Sequence, residues 1–396
     1  MTNVEIKLES NSEGKNVFCP GHLLKGTVTL TLEENKKFRG LYIKIFGRAK
    51  VHWAENDGKR TGGGHVMSSI FTSKKVVHES VEILLDSTTY FFGELYGQDI
   101  QINQGIHQYN FECQLPDNLP YTLDMKYGSV AYYTESVLEN SFGPYKTVRK
   151  TFTIVRFDDL NLFPELRKVR NIERVVTFGF ALWKSKPLVM NAIISCTGFA
   201  VGQNVPVTIE YKNSSNVEIL RSKVTLLRRV TYTSHDPIAK KVENEKIFVA
   251  YAAGVKQGES KSFNVKFYIP LSMKSSNRRY CPIIAIDYAI EVIGEVNGYH
   301  KNLTILFPIT IASLPLRNNQ LYTDPNNISR TPEIIDTRLN PLNELIQRQY
   351  SQQISQTSNL SNSTQTSKTT SVAENQLKSD MPPTFEEALS MSKPIR

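Results

Sequence analysis

Seven histidines, four cysteines and one glycine run are the places where chemistry could begin in this chain of 396 residues. The histidines, His22, His52, His65, His78, His107, His235 and His300, never stand two or four apart. A metal site on one strand or one helix uses such spacings to turn two imidazoles the same way. Cys19, Cys113, Cys196 and Cys281 lie far apart and form no C-x-x-C pair. Their spacing predicts free thiols in a reducing compartment rather than a disulfide framework or a zinc site. No H-E-x-x-H, G-x-S-x-G or G-x-x-x-x-G-K-S/T run occurs. Gly62-Gly63-Gly64, after Lys59-Arg60, resembles a phosphate cradle, but it falls between an alternating segment ending near Trp53 and another beginning at Met67. That placement predicts a hairpin loop. With no catalytic residue, metal ligand or cofactor site indicated, the chain reads as a binding protein and not an enzyme.

The elements that would carry a binding surface occur twice. Pro20-Gly21 with Gly26-Thr27-Val28-Thr29-Leu30 is echoed about 181 residues later by Val201-Gly202 with Val207-Thr208-Ile209-Glu210-Tyr211. Ile43, Ile45, Phe46 and Arg48 meet Val224, Leu226, Leu227 and Arg229 at the same offset. Further on, Gly105 and Tyr109-x-Phe111-x-Cys113-x-Leu115-Pro116 meet Gly258 and Phe263-x-Val265-x-Phe267-x-Ile269-Pro270. Tyr133-x-Glu135-x-Val137 is matched to Tyr288-x-Ile290-x-Val292. Four echoes in one order predict two copies of one unit.

Each copy alternates apolar and polar residues, as in Leu41-x-Ile43-x-Ile45, Val81-x-Ile83-x-Leu85 and Ile286-x-Tyr288-x-Ile290-x-Val292. A period of two places one set of side chains on the buried face of a strand. Turn signals at Asn56-Asp57-Gly58, Pro116-Asp117-Asn118, Asn213-Ser214-Ser215 and Asn297-Gly298 separate these runs. Short half-buried strands hide their apolar faces by stacking two sheets, so two tandem β-sandwiches are expected. The expected boundaries are residues 1–157 and 177–316, with 158–176 as a linker broken at Pro164 and 317–396 as a tail.

From Ser351 to Val372, 18 of 22 residues are Ser, Thr, Asn or Gln, and such a stretch cannot bury enough surface to offset chain entropy. The tail is expected to be mostly disordered, with a short helix beginning near Asn340-Pro341. It carries eight basic and eight acidic residues, so the net charge of +9 lies in the sandwiches, with 39 basic against 30 acidic. That excess favours acidic partners, either phosphorylated peptides or an anionic membrane surface touched peripherally. The basic residues are scattered and no RNP1-like run interleaves them with aromatics, so nucleic acid is not expected as a partner. Met1 to Leu8 is polar and no apolar run approaches ~18 residues, so neither a signal peptide nor a membrane span is expected.

These segments also resemble a known family. Phe18-Cys19-Pro20-Gly21, Gly26-Thr27-Val28 and the run from Phe38 through Gly47-Arg48-Ala49-Lys50-Val51 to Trp53 are similar to the start of an arrestin N-terminal domain. Gln114-Leu115-Pro116-Asp117-Asn118-Leu119-Pro120 and Lys126-Tyr127-Gly128-Ser129-Val130-Ala131-Tyr132-Tyr133 resemble its later strands. Thr197-Gly198-Phe199, Gly202-Gln203, Cys281-x-Ile283-Ile284-x-Ile286-x-Tyr288 and the run from Pro308 to Leu316 resemble the arrestin C-terminal domain. The resemblance covers residues 1–316 and is closest to the α-arrestins, or arrestin-domain-containing proteins. It implies an all-β fold of two arrestin-like, immunoglobulin-type sandwiches. The paired-lysine phosphate sensor on the first strand of visual and β-arrestins is not matched here, where Val4-Glu5-Ile6-Lys7-Leu8 offers Lys7 alone.

Pro382-Pro383-Thr384-Phe385-Glu386-Glu387-Ala388-Leu389 resembles the α-arrestin PPxY element, which in that family binds WW domains of HECT-type ubiquitin ligases. Two prolines preset an extended helix for an aromatic groove, and the aromatic fills a second pocket. Here Phe385 stands where the family has tyrosine. The implied WW-binding residues are Pro382, Pro383 and Phe385. Thr384 and Glu387 also form a T-x-x-E capping box for a helix starting at Phe385. The resemblance implies a cytoplasmic adaptor, recruited to the plasma membrane and endosomes, that holds cytoplasmic segments of receptors or transporters and brings a ligase to them for ubiquitination and endocytosis. The alternative is a trafficking or signalling scaffold of the same fold that recruits no ligase.

Overall fold

The computed structural model describes residues 2–9, 16–56, 75–94, 97–179 and 184–317. Residues Met1–Leu316 form one compact unit, and the described part is almost wholly β. In the first sandwich the strands are β1 (Thr2–Leu8), β2 (Val17–Phe18), β3 (Leu23–Leu32), β4 (Lys36–Phe38), β5 (Gly40–Asn56) and β6 (Lys75–Gly93). They are followed by β7 (Ile100–Ile102), β8 (Gly105–Gln114), β9 (Leu123–Met125), β10 (Gly128–Asn140) and β11 (Gly143–Ile154). One sheet runs β1-β3-β8 and the other β2-β11-β10-β5-β6, with β9 on β10 and β4-β7 as a separate ribbon.

Two 3₁₀ turns, Leu160–Leu162 and Pro164–Arg167, lead into the second sandwich. Its strands are β12 (Arg170–Val176), β13 (Leu188–Ile194), β14 (Gly198–Ala200), β15 (Asn204–Asn213) and β16 (Ile219–His235). Then come β17 (Ile238–Val255), β18 (Ser260–Tyr268), β19 (Ile284–Val296) and β20 (Leu303–Ala312). The sheets run β12-β13-β15-β18 and β14-β20-β19-β16-β17. Residues 170–176, assigned to the linker on sequence, are therefore a strand of this sandwich.

The repeat read from sequence is a repeat of architecture. β3 and β15 are each ten residues long and start 181 residues apart. β5 and β16 are both 17 residues long, and β10 and β19 both 13. In each copy a short strand pairs in parallel with the last long one, β2 with β11 and β14 with β20. Val28, Leu30, Leu41, Ile43 and Ile45 fill the first core, and Val207, Ile209, Val224, Leu226, Ile286 and Ile290 the second. Their alternation with wet residues is the sandwich pattern expected from the sequence.

Two details differ from expectation. Tyr133 lies on the outer face, under the guanidinium of Arg149 at 4.1 Å from its ring centre. The residue equivalent to Tyr288 is Tyr132, since both are 1 % exposed. Val81 and Ile83 are 48 % and 63 % exposed, and the inward places on that stretch of β6 belong to His78 and Ser80. Those two polar residues face the other sandwich, where their hydrogen bonds are met.

Candidate functional site

Two long hairpins meet between the sandwiches. The end of β16 and the start of β17 project past their own core and reach β6. Glu79 donates its backbone N–H to Asp236 O at 3.2 Å, and Ser234 Oγ donates to Glu79 O at 3.0 Å. Ser80 Oγ accepts from the backbone N–H of His235 at 2.6 Å. His78 Nδ1 lies 3.3 Å from Pro237 O, and its ring stacks on Trp53 at 5.1 Å. Beside this contact Tyr127 meets Tyr232 edge-on at 5.5 Å. Lys241 pairs with Glu55 at 2.7 Å, and Lys126 with Glu243 at 3.7 Å.

A second clasp uses the loops. Arg156 Nη1 donates to Asp117 O at 2.8 Å and Leu119 O at 2.9 Å, and its guanidinium stacks on the Tyr280 ring at 3.5 Å. Arg156 also approaches Asp158 at 3.7 Å, close enough for attraction and too far for a hydrogen bond. Burial pushes the Asp158 carboxyl upward, and the Arg156 charge pulls it back. Tyr121 donates its hydroxyl to Ser275 O at 2.8 Å, and Ser313 Oγ to Arg156 O at 3.3 Å. The sandwiches are thus joined by main-chain and charged contacts as well as apolar ones.

The smaller sheets of the two sandwiches differ in width, three strands against four. That of the first sandwich ends at β1, whereas in the second sandwich β12 lies antiparallel on β13, the strand equivalent to β1. Among the described residues no strand pairs with the outer edge of β1. Along that edge Lys146 Nζ donates to Thr2 O at 2.9 Å and Lys150 Nζ to Ile6 O at 3.3 Å. Main-chain groups of alternate residues point the same way, so the groups of Val4 and Ile6 face this edge too. Such an edge takes an extended segment once the two lysines leave the Thr2 and Ile6 carbonyls, and an acidic segment offers those ammonium groups a replacement partner.

The sequence-indicated site residues Pro382, Pro383 and Phe385, the capping pair Thr384 and Glu387, the helix expected near Asn340 and the Gly62-Gly63-Gly64 loop lie outside the described residues. All four cysteines are free thiols. Cys281 is buried and the others partly so, and burial pushes Cys19 and Cys281 up to about 11. No cluster of metal-ligating side chains occurs among the described residues, and no helix there is long and apolar enough to cross a membrane. Sequence reasoning missed the β1 edge, because residues 170–176, which form the extra strand β12 in the second copy, read there as linker.

Comparison with known families places these features. Residues 4–161 match "Arrestin (or S-antigen), N-terminal domain" and residues 184–316 match "Arrestin (or S-antigen), C-terminal domain". The chain belongs to the arrestin family, in its α-arrestin branch. It is 26 % identical over 317 residues to mouse arrestin domain-containing protein 4, covering 78 % of this chain and 72 % of that one. It is 23 % identical over 317 residues to arrestin domain-containing protein 17 of Caenorhabditis elegans, covering 76 % and 68 %. Mouse arrestin domain-containing protein 1 is 23 % identical over 327 residues, covering 82 % and 67 %.

Proposed function

We propose that this protein is a non-enzymatic adaptor that holds cytoplasmic segments of membrane receptors or transporters and recruits a WW-domain HECT ubiquitin ligase through Pro382-Pro383-Thr384-Phe385. The cargo arm rests on the open edge of β1, where the second copy carries β12. An extended acidic segment adds there by main-chain pairing, with Lys146 and Lys150 beside it. The ligase arm rests on the order proline-proline-x-aromatic, followed by Glu386-Glu387-Ala388. The two arms joined in one chain bring the ligase to its cargo, which is the requirement for ubiquitination and endocytic sorting.

The test is a binding measurement between the full chain and WW domains of HECT ligases, paired with capture of acidic extended peptides by wild type and by the Lys146→Glu, Lys150→Glu double variant. Binding to WW domains that is lost in Phe385→Ala supports the adaptor. If no WW domain binds while peptide capture persists, the scaffold that recruits no ligase takes its place. Peptide capture untouched by the lysine reversals removes β1 as the cargo edge.

A further inference from the structure

We propose a second peptide site at the junction of the sandwiches, formed by the open edge of β6 at Val81–Ile83 and the guanidinium of Arg279. Its occupant is a short extended segment bearing a carboxylate. The site lies apart from the β1 edge, on the other sheet of the first sandwich.

The edge already receives a strand in miniature. Glu79 forms an antiparallel bridge with Asp236, using its N–H toward Asp236 O, while its C=O accepts from Ser234 Oγ. Both main-chain groups of Glu79 therefore point away from β5. Alternation along the strand turns the groups of Val81 and Ile83 the same way. After Pro237 the second sandwich turns back into β17, and among the described residues no strand continues the pairing. Val81 and Ile83 remain 48 % and 63 % exposed. Two unpaired main-chain positions with β-branched side chains suit β-strand addition.

A cavity of about 280 Å³ opens beside this edge, lined by Glu82, Leu84, Leu119, Pro120, Arg279 and Tyr280 among others. Its walls are held from behind. Tyr132 donates to Pro120 O at 2.7 Å, and Arg156 binds Leu119 O and stacks on Tyr280. Glu82, the acid of the cavity, already faces His235 at 3.7 Å. Arg279 is exposed and has no carboxylate partner among the described residues. Its guanidinium lies 5.7 Å from the centre of the Tyr280 ring. A fixed cavity with an uncommitted guanidinium next to an open strand edge fits a peptide carboxylate, which Arg binds through two parallel N–H donors.

The experiment uses the full chain and two fluorescent peptides of alternating valine and threonine, one with a central glutamate and its glutamine twin. The glutamate peptide should bind about tenfold more tightly, the difference expected for one charge-assisted contact. That preference should vanish in Arg279→Glu and survive in the Lys146→Glu, Lys150→Glu variant. Ile83→Pro removes an outward N–H while sparing the ladder to β5, so it should weaken both peptides alike. Equal binding of the two peptides, binding of neither, or a preference that persists in Arg279→Glu overturns the proposal. A preference lost only with the β1 lysines also overturns it, since the peptide would then sit on β1. Failure here leaves the β1 edge and the ligase arm untouched.

Discussion

Tyr132 and Tyr288 hold the same post in the two sandwiches. Each is 1 % exposed, and each donates its hydroxyl at 2.7 Å to a loop carbonyl, Pro120 O for the first and Lys274 O for the second. Both loops lie where the sandwiches meet, because Pro120 lines the junction cavity and Ser275, next to Lys274, accepts from Tyr121. Gly47 leaves room for the first ring, as a Cβ there would collide with Tyr132. Tyr132→Phe leaves the buried Pro120 carbonyl unpaired, with an expected loss of about 1–3 kcal/mol. Tyr288→Phe frees the carbonyl of the exposed Lys274, which water can reach, and should cost about 0.5–1.5 kcal/mol. Urea unfolding checks this, as a lower midpoint at unchanged slope. A midpoint within error of wild type would show that the hydroxyls brace nothing.

The same pair shows how far the fold was legible. The repeat, the sandwich class and most core residues follow from alternation, because Leu41, Ile43, Ile45 and Ile286, Ile290, Val292 obey a strict period of two. The echo that paired Tyr133 with Tyr288 ran one residue late. On β10 the inward places after Tyr132 hold Thr134 and Ser136, both fully buried, so the core line is written in polar residues. A one-residue slip on a strand changes its face. Val81 and Ile83 misled in the opposite sense, since β6 spends its inward places on His78 and Ser80, whose partners lie in the other sandwich. Contacts between copies leave no local period, and for that reason the junction, the role of β12 and both open edges were invisible in the sequence.

High pH should unfold the protein in a definable window. Burial pushes Tyr211, Tyr232 and Tyr288 from 10 up to about 12, and Cys19 and Cys281 from 9 up to about 11. Their protons leave the unfolded chain first, so between those values the folded state holds protons that the unfolded state has lost. The stability they contribute is complete below about 9 and is lost as pH rises toward 12. The urea midpoint should fall steadily across that range, and less steeply in Tyr288→Phe. A midpoint that is flat up to pH about 11 would contradict this.

Arg156 should matter far more than the ion pairs beside it. Its side chain is 13 % exposed and serves two carbonyls, an aromatic ring and Asp158. Arg156→Ala strands a carboxylate that burial already disfavours, an expected loss of about 3–5 kcal/mol. Lys241→Ala breaks a pair whose side chains are 23 % and 48 % exposed, and should cost less than about 1 kcal/mol. Comparative denaturation at low and high salt separates the two, since the exposed pair alone is screened. Comparable losses for both variants would sink the distinction.

Any attachment to an anionic membrane should be electrostatic and led by the second sandwich. Residues 158–313 carry 21 basic and 13 acidic side chains, against 18 and 17 in residues 1–157. Binding to phosphatidylserine vesicles should fall steeply with added salt, and Lys240→Glu with Lys246→Glu should reduce it further. The exposed ring of Phe142, 98 % accessible at the β10–β11 turn, offers the rival outcome. Salt-resistant binding that disappears in Phe142→Ala would mean insertion of that ring instead.

The ligase arm turns on Phe385. In the proposed WW complex a phenyl ring would bury the same surface as the family's tyrosine and forgo one hydroxyl hydrogen bond, worth about 0.5–1.5 kcal/mol. Phe385→Tyr should therefore tighten WW binding several-fold, and by tens-fold if the pocket otherwise leaves a polar group unpaired. Phe385→Ala removes the ring itself and should abolish detectable binding, as should Pro383→Ala, which empties a groove contact. Thr384→Ala should change little, because a polyproline helix docked through Pro383 and Phe385 would turn position 384 away from the groove. Titration of WW domains with the peptide from Met381 to Leu389 and these variants measures all four. Equal binding by wild type and Phe385→Ala, or none by wild type and Phe385→Tyr alike, would leave the protein without its effector arm. The two open edges would then belong to a scaffold that gathers extended segments and hands them to no ligase.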